Sequence, residues 1–298
     1  MNTKAKDDAG RINIRPARDS DKAVVLGFCK HTFGRWGDYM PEVWDEWVKT
    51  RNGLFFAATI NDVPVGVGKI TIHRPGELWL EGLRVNPKYR GCGIGRIIQN
   101  HAWKKAMSLK PKYVRYATGS YNKISQHLGQ SKSMKIVAGF DEYISKLTDT
   151  TETALVRAKP KEGQEYLSLF NRDRQAKYWK GLYLDSWSAK TFDKQALDGL
   201  IKQKRVYGYY GHRGLAGGLV ILQSKDKKFY NYCRAAALDP KTFQTILKEG
   251  RKLGRLLGAK KTEMHLPKSA WFRNIVKGTG WRKAMPIWMV VLEWSRKL

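Results

Sequence analysis

The stretch 78–96 joins an apolar segment, a glycine-rich loop and the start of a helix, and this order constrains the fold most. It reads LWLEGLRVNPKYRGCGIGR, with glycines at alternate positions 91, 93 and 95. Such glycines let successive backbone N–H groups point into one concave space, because no side chain blocks the approach. The helix predicted next adds unpaired N-terminal donors and the positive end of its dipole. The segment therefore predicts a site for a phosphate or pyrophosphate group.

The spacing of the glycines narrows the kind of phosphate site. A Walker loop ends in Gly-Lys-Ser/Thr and a dinucleotide fingerprint reads G-x-G-x-x-G, whereas this chain has G-x-G-x-G. The string R-x-x-G-x-G over 90–95, after a strand reading L-R-V-x-P, resembles the acyl-CoA loop of the GNAT N-acetyltransferase superfamily. A glycine turn with a purely structural role is the alternative interpretation.

This resemblance implies a fold and a cosubstrate. The fold would be α/β of the α+β kind, two tandem GNAT-like domains, each with a mixed, mostly antiparallel twisted sheet flanked by helices. The cosubstrate would be acetyl-CoA, with no metal. The cofactor-binding residues that the resemblance implies are Leu83, Arg84, Val85, Arg90, Gly91, Cys92, Gly93, Ile94, Gly95, Arg96 and Asn122.

The implied contacts differ among these residues. Leu83 and Val85 would present backbone groups to the pantetheine arm of CoA, and the loop would bind the pyrophosphate. Arg84 and Arg96 would neutralise phosphates, unless they face solvent. Asn122 matches an Asn that contacts pantetheine in relatives, although a turn-forming role is nearly as good an interpretation.

The chemistry of acetyl transfer points to a carboxylate near the same strand. The amine must lose a proton and the thioester carbonyl must be polarised. Glu81 interrupts an otherwise apolar strand, and a glutamate there needs a partner. We predict Glu81 as the base or as a clamp for the acceptor ammonium, with Glu77 as second candidate. The alternative for Glu81 is a salt bridge to Arg84 or to a neighbouring lysine.

The general acid is the point where the sequence departs from the family. Many relatives carry a Tyr about seven residues after the Asn, and this position is Gly129 here. His127, Tyr121 and Ser131 are weak substitutes, and the thiolate also leaves without an acid if its pKa is low enough. The sequence therefore leaves this role open.

The second half of the chain repeats the order of the first half without the glycine loop. The segment Leu238–Pro240 stands where the first copy has Val85–Pro87, and 243–248 reads FQTILK in place of the loop. We therefore predict a tail over 1–10, a GNAT acetyltransferase domain over 11–150 and a degenerate GNAT-like domain over 151–298. The bulky Phe and Leu predict that the second copy does not hold CoA.

Composition bounds the partners. The net charge is +30, with 25 basic and 14 acidic residues up to residue 150 and 31 and 12 after it. This excess fits a nucleic acid or another acidic partner bound by the C-terminal half, attraction of CoA, or a solvated basic surface. Three scattered cysteines favour a reducing cytoplasm, and no apolar run is long enough to span a membrane.

Together these features predict an N-acetyltransferase that transfers acetyl from acetyl-CoA to a primary amine in a ternary complex. A small molecule, an amino acid or a peptide is the expected acceptor. Two alternatives remain from other classes. One is a nucleic-acid-associated acetyltransferase or RNA-binding protein, and the other is an acyl-CoA sensor without catalysis.

Overall fold

The computed structural model describes residues 12–34, 37–223 and 229–296, with the side chain of Phe229 left out. The predicted tail over 1–10 lies outside the described residues. The helices are α1 (Lys22–Cys29), α2 (Met40–Val48), α3 (Ile94–Ser108), α4 (Lys123–Gln130), α5 (Gly163–Arg172), α6 (Ala176–Trp179), α7 (Lys194–Lys202), α8 (Pro240–Leu256) and α9 (Ala270–Ile275). The strands are β1 (Asn13–Pro16), β2 (Gly53–Ile60), β3 (Val63–Arg74), β4 (Glu77–Val85), β5 (Tyr113–Gly119), β6 (Lys135–Ser145), β7 (Val156–Arg157), β8 (Leu182–Asp185), β9 (Ser188–Thr191), β10 (Val206–Gly211), β11 (Gly214–Gln223), β12 (Phe229–Ala237), β13 (Lys261–Pro267), β14 (Trp281–Lys283) and β15 (Met289–Ser295).

The chain forms two compact units. Of the described residues, the first unit takes those up to Tyr116, those of Ile124–Lys135 and those from Glu293 onward, and the second takes those of Ala117–Lys123 and Ile136–Leu292. Both units draw segments from either side of residue 150, so the predicted boundary there stays a prediction.

The first unit contains the sheet that the N-terminal half predicts. Its strands run in the order β1-β2-β3-β4-β5, with antiparallel pairs up to β4 and a parallel pair between β4 and β5. The predicted hairpin turn is confirmed, because Asn61 and Asp62 adopt φ of 50° and 62° between β2 and β3. This left-handed pair is the backbone of a tight two-residue hairpin loop. Under the sheet, α1 and α2 bury Val25, Met40 and Trp44 completely.

The second unit repeats this plan. Its described strands include the series β7-β10-β11-β12-β13-β6, in which β12 and β13 pair in parallel and the other neighbours pair antiparallel. A parallel pair needs a crossover, which α8 supplies here as α3 does in the first unit. Helix α5 packs Tyr166 and Phe170 into its core. The repeated order of elements confirms the mixed, mostly antiparallel fold for both halves.

Several element boundaries differ from the sequence-based expectation. Helix α3 begins at Ile94, three residues before the predicted start, because the glycine loop leads directly into its first turn. The predicted helix over 124–135 ends at Gln130 and β6 begins at Lys135. The hairpin of β8 and β9 was not predicted, and its strands have only four residues each.

Candidate functional site

The strand before the glycine loop has an open edge. β4 and β5 pair only from Glu77–Tyr113 to Trp79–Arg115. On its other edge, β4 stays paired with β3 as far as Val85. Within the described residues, β4 therefore lacks a β5 partner over 80–85. Its backbone donors and acceptors on this edge are available to an extended ligand, as in strand addition to a sheet edge.

A β-bulge shapes β4 within this open stretch. Two residues of β4, Gly82 and Leu83, face the single residue Gly68 of β3. Gly82 has φ of 70°, and a Cβ there would lie 2.5 Å from the Trp47 ring. A glycine is thus required both by the backbone and by the close approach of the indole. The bulge changes which residues of β4 point to each face just before the loop.

The glycine loop ends at a helix N-terminus that no side chain caps. Gly91 and Gly93 have φ of 80° and 78°, and Gly93 is the N-cap of α3. A Cβ at Gly91 would meet nothing within 4 Å, so the backbone there borders open space. Leaving these positions without side chains lets an anion approach the first N–H groups of α3. The loop residues therefore fit a phosphate or pyrophosphate group, as the sequence predicts.

The side chains of the loop divide into buried and exposed ones. Ile94 is buried and anchors α3, so only its backbone is free to bind a ligand. Arg90 and Arg96 are exposed, and among the described residues neither forms an ion pair with a carboxylate. Cys92 is half-buried, with its Sγ 3.9 Å from the carbonyl oxygen of Arg90. The two arginines are placed where phosphate contacts are possible.

Arg84 has a different partner. Its Nε donates to Asp38 Oδ2 at 2.7 Å, and its guanidinium lies 4.9 Å from the ring centroids of Phe33 and Tyr39. Burial raises the pKa of Asp38, but the hydrogen bond and charge of Arg84 outweigh this effect and lower it overall. Since Asp38 already neutralises this guanidinium, the placement gives no support to Arg84 as a phosphate ligand.

Glu81 is held by two residues of β3. Lys69 Nζ donates to Glu81 Oε1 at 3.0 Å, and Thr71 Oγ1 donates to the same oxygen. Lys69 also donates to Thr71 Oγ1, so the three side chains form a closed triangle. The Lys69 side chain is 4% exposed and that of Glu81 is 24% exposed. A salt bridge to a lysine was one predicted alternative for Glu81, whereas Arg84 is not its partner.

Glu77 is engaged more deeply than Glu81. Its carboxylate forms ion pairs with Arg115 at 2.6 Å and with Arg74 at 2.9 Å, and the residue is 3% exposed. Arg115 also pairs with Glu293 at 2.5 Å. A buried carboxylate between two guanidinium groups has a structural role. Glu81 is therefore the better placed of the two candidate glutamates.

The side chain of Tyr116 in β5 fills the space beside Gly129 in α4. A Cβ at Gly129 would lie 2.3 Å from the Tyr116 hydroxyl oxygen, and this hydroxyl donates to the carbonyl oxygen of Ser125 in α4. Burial raises the pKa of Tyr116 to about 12, against the effect of hydrogen bonds from α4. The absence of a side chain at 129 thus has a packing cause that the sequence did not reveal.

The remaining candidate residues lie around α4. The backbone N–H of Asn122 donates to the Gly119 carbonyl oxygen at 2.9 Å in the turn that leads into the helix. Tyr121 is 61% exposed. His127 and Ser131 are also exposed, and Ser131 donates to the carbonyl oxygen of Leu128. These positions do not favour any one of Tyr121, His127 and Ser131 as the general acid.

In the described part of the second copy, the start of α8 is built differently from the start of α3. Asp239 is the N-cap of α8, and its carboxylate accepts from the Thr242 N–H at 2.9 Å. Phe243 is fully buried and Leu247 nearly so. Where α3 presents free donors, α8 therefore has a built-in carboxylate and bulky side chains.

The counterpart of Glu81 in the second copy is Arg234, by the match of 238–240 to 85–87. Arg234 is 4% exposed, donates to the Leu182 carbonyl oxygen and lies 4.4 Å from the Phe192 ring. Its burial lowers the pKa of the guanidinium to about 9, against the attraction of Asp173. This position has no carboxylate for an amine.

Comparison with known proteins agrees with this geometry. Residues 23–130 match the model of the acetyltransferase (GNAT) family. No curated protein matches the sequence. The part of the chain that carries the glycine loop is therefore similar to a GNAT acetyltransferase domain.

Solved structures extend the likeness of the fold to almost the whole chain. A GCN5-related N-acetyltransferase from Sphaerobacter thermophilus is 12% identical with a TM-score of 0.65, covering 96% of both chains. A tandem GNAT protein from the clavulanic acid biosynthesis pathway is 10% identical with a TM-score of 0.59, covering 95% of this chain and 98% of that one. A GNAT-family acetyltransferase from Colwellia psychrerythraea is 13% identical with a TM-score of 0.52, covering 96% and 100%. The chain has the tandem GNAT fold.

The described residues show neither a metal-binding cluster nor a membrane-spanning helix. They contain no group of three or more His, Cys, Asp or Glu side chains arranged to hold a metal ion. Nor does any helix among them combine the length and apolar character that a membrane span requires.

Proposed function

We propose that the chain is an N-acetyltransferase that moves acetyl from acetyl-CoA to a primary amine by direct transfer in a ternary complex. The observation that supports this most is the order along β4. Glu81 is followed by an open strand edge, then by the glycine loop and the uncapped N-terminus of α3. A ligand with an extended arm and a pyrophosphate would use these features in sequence.

Acetyl-CoA supplies an activated acyl group as its thioester. The acceptor nitrogen forms a bond to the carbonyl carbon, the carbon–sulfur bond breaks, and the sulfur leaves with the electron pair and takes a proton. We assign the backbone N–H of Leu83 to polarise the carbonyl oxygen, and the backbone of Val85 to the pantetheine arm. Glu81 receives the amine proton or orients the amine, and the Lys69–Thr71 contacts keep its carboxylate fixed.

We propose that only the first copy holds acetyl-CoA. The carboxylate of Asp239 caps α8, whereas no side chain caps the start of α3. The pyrophosphate donors would then be the backbone of 91–95 and the side chains of Arg90 and Arg96, with Asn122 as a contact of the pantetheine arm. A reducing cytoplasmic location is proposed with this function, since all three cysteines are free thiols.

The test is release of free CoA, followed with a thiol reagent, from acetyl-CoA and a pool of amines, amino acids and peptides. Glu81→Gln keeps the shape and hydrogen-bond acceptor of the side chain but removes the base. We expect acceptor-dependent release in the wild type and a loss of at least about tenfold in the variant. Glu152→Gln, an exposed position, is the matched control and should behave as the wild type.

The same experiment separates the alternatives. Absence of release, while acetyl-CoA still raises the melting temperature, would favour an acyl-CoA sensor or a macromolecular acceptor. Binding to single-stranded nucleic acid that weakens steeply with salt would favour a nucleic-acid partner, because counterion release makes such binding salt-dependent. Release that is unchanged in Glu81→Gln would refute the role of Glu81 while leaving the transfer reaction intact.

A further inference from the structure

The charge of Glu81 is already compensated inside the protein. The ammonium of Lys69 lies 3.0 Å from Glu81 Oε1, and the lysine side chain is almost completely buried. The same ammonium lies 5.0 Å from the centroid of the Trp47 ring. Because the Lys69 ammonium is buried, water cannot replace Glu81 as the group that balances its charge. The ion pair therefore persists in the folded protein.

The charged groups that these interactions connect to Glu81 are balanced. On β4 the next charged side chain is Arg84, which is paired with Asp38 at 2.7 Å. Tyr39, which interacts electrostatically with both Glu81 and Arg84, has a pKa raised by burial and is therefore a neutral phenol. Two cations and two carboxylates thus cancel in this cluster.

This balance affects which form of an amine the carboxylate attracts. Oε1 is held by Lys69 and Thr71, whereas among the described residues Oε2 has no hydrogen-bond partner. An ammonium on Oε2 would place a second cation beside the buried one, and like charges a few ångströms apart repel. A neutral amine can donate one N–H to Oε2 without this penalty, and its lone pair stays available for attack.

We propose that Lys69 is a specificity-determining residue that makes the site select uncharged amines. The acceptor class is then amines of low basicity, such as the α-amino group of a peptide or amino-acid amide, in preference to strongly basic alkylamines. This inference rests on the proposed acetyl transfer at Glu81. It differs from a simple ammonium clamp, which would need Glu81 without a partner.

The experiment uses two isomeric acceptors, Nε-acetyllysine amide with a free α-amine and Nα-acetyllysine amide with a free ε-amine. Their ordinary pKa values of about 7.8 and about 10.4 give roughly a 300-fold difference in neutral fraction near neutral pH. We expect the wild type to prefer the α-amine in kcat/KM by more than about 100-fold. In Lys69→Met we expect this preference to narrow by about tenfold, because the uncompensated carboxylate now attracts the charged amine. Thr71→Val removes a hydroxyl but keeps both charges, so its preference should stay that of the wild type.

A binding measurement keeps the inference testable if Lys69→Met does not fold. The wild type should bind Nα-acetyllysine amide no more tightly than its uncharged isostere, the Nα-acetyl amide of 2-aminoheptanoic acid. Tighter binding of the charged compound by about tenfold would overturn the inference, since it would show a net attraction for cations. These affinities are read by calorimetry without turnover. A chain that releases no CoA with any amine would therefore refute the transfer reaction, not the charge balance.

Discussion

A pair of glutamates in the second unit makes its stability depend on pH. Glu142 of β6 and Glu263 of β13 share one face of the sheet, since Glu142 pairs with His265 and Glu263 with Ile144. Their carboxyl groups are hydrogen-bonded to each other. Burial raises the pKa of both, and the charge of Glu142 helps to raise that of Glu263 to about 8, although Lys261 opposes the shift. Near neutral pH the folded pair therefore holds one proton that the unfolded chain has lost.

The sign of the pH dependence follows from this proton. Between the ordinary pKa of glutamate, 4.5, and about 8, the folded state binds more protons than the unfolded state, so stability falls as pH rises. The full shift would correspond to several kcal/mol. Both side chains are partly exposed, so solvent screens the effect. We therefore expect the free energy of unfolding to fall by about 2 kcal/mol between about pH 6 and about pH 9.

Glu263→Gln should remove the part of this dependence that comes from Glu263. The amide donates a hydrogen bond to Glu142 as the protonated carboxyl does, and it has no proton to lose. Urea unfolding followed by tryptophan fluorescence at several pH values should show the wild type losing stability relative to the variant as pH rises. Glu152→Gln serves as control for the loss of one negative charge. Parallel stability curves for the wild type and Glu263→Gln would refute the shared proton.

Two further variants test packing and capping. Gly129→Ala should lower the free energy of unfolding by about 1–3 kcal/mol, because the new methyl group overlaps the Tyr116 hydroxyl. The loss of stability should be smaller in the Tyr116→Phe background. An unchanged midpoint of urea unfolding would contradict the contact. Asp239→Ala should lower the free energy of unfolding by about 1 kcal/mol, because it removes the cap of α8. Asp239→Asn still accepts the hydrogen bond and should keep most of this stability. Equal losses in the two variants would show that charge, and not capping, is responsible.

Local sequence patterns predicted the elements that lie close together in the chain. The glycines at 91 and 93, the strand before them and the turn at Asn61–Asp62 are set by backbone conformations that few residues adopt, so their identity reveals them. The repeated order of strands in the second half was also visible, because its turn and strand patterns follow one another as in the first half. The β8–β9 hairpin was missed because its short strands offer no clear alternation and its turn lacks a strong signal.

The sequence offered a lysine as a partner of Glu81 but could not identify which one, nor the partner of Arg84, since these pairs are set by packing between distant segments. Lys69 is twelve residues from Glu81, and Asp38 is 46 residues from Arg84. The register of β3 against β4, with its bulge, decides that Lys69 faces Glu81. Likewise, nothing in the sequence around Gly129 shows that a tyrosine of β5 occupies its side-chain space.

The different ends of α3 and α8 imply different couplings between ligand binding and folding. An internal carboxylate stabilises α8 whether or not any ligand is present, so its unfolding should be indifferent to added anions. The start of α3 has no such substitute, and its orphan amides are left for a ligand to satisfy. By mass action, any anion bound there stabilises the first unit by an amount that grows with its concentration. One capping aspartate thus makes the start of α8 independent of any ligand, whereas the start of α3 is completed only when a ligand binds.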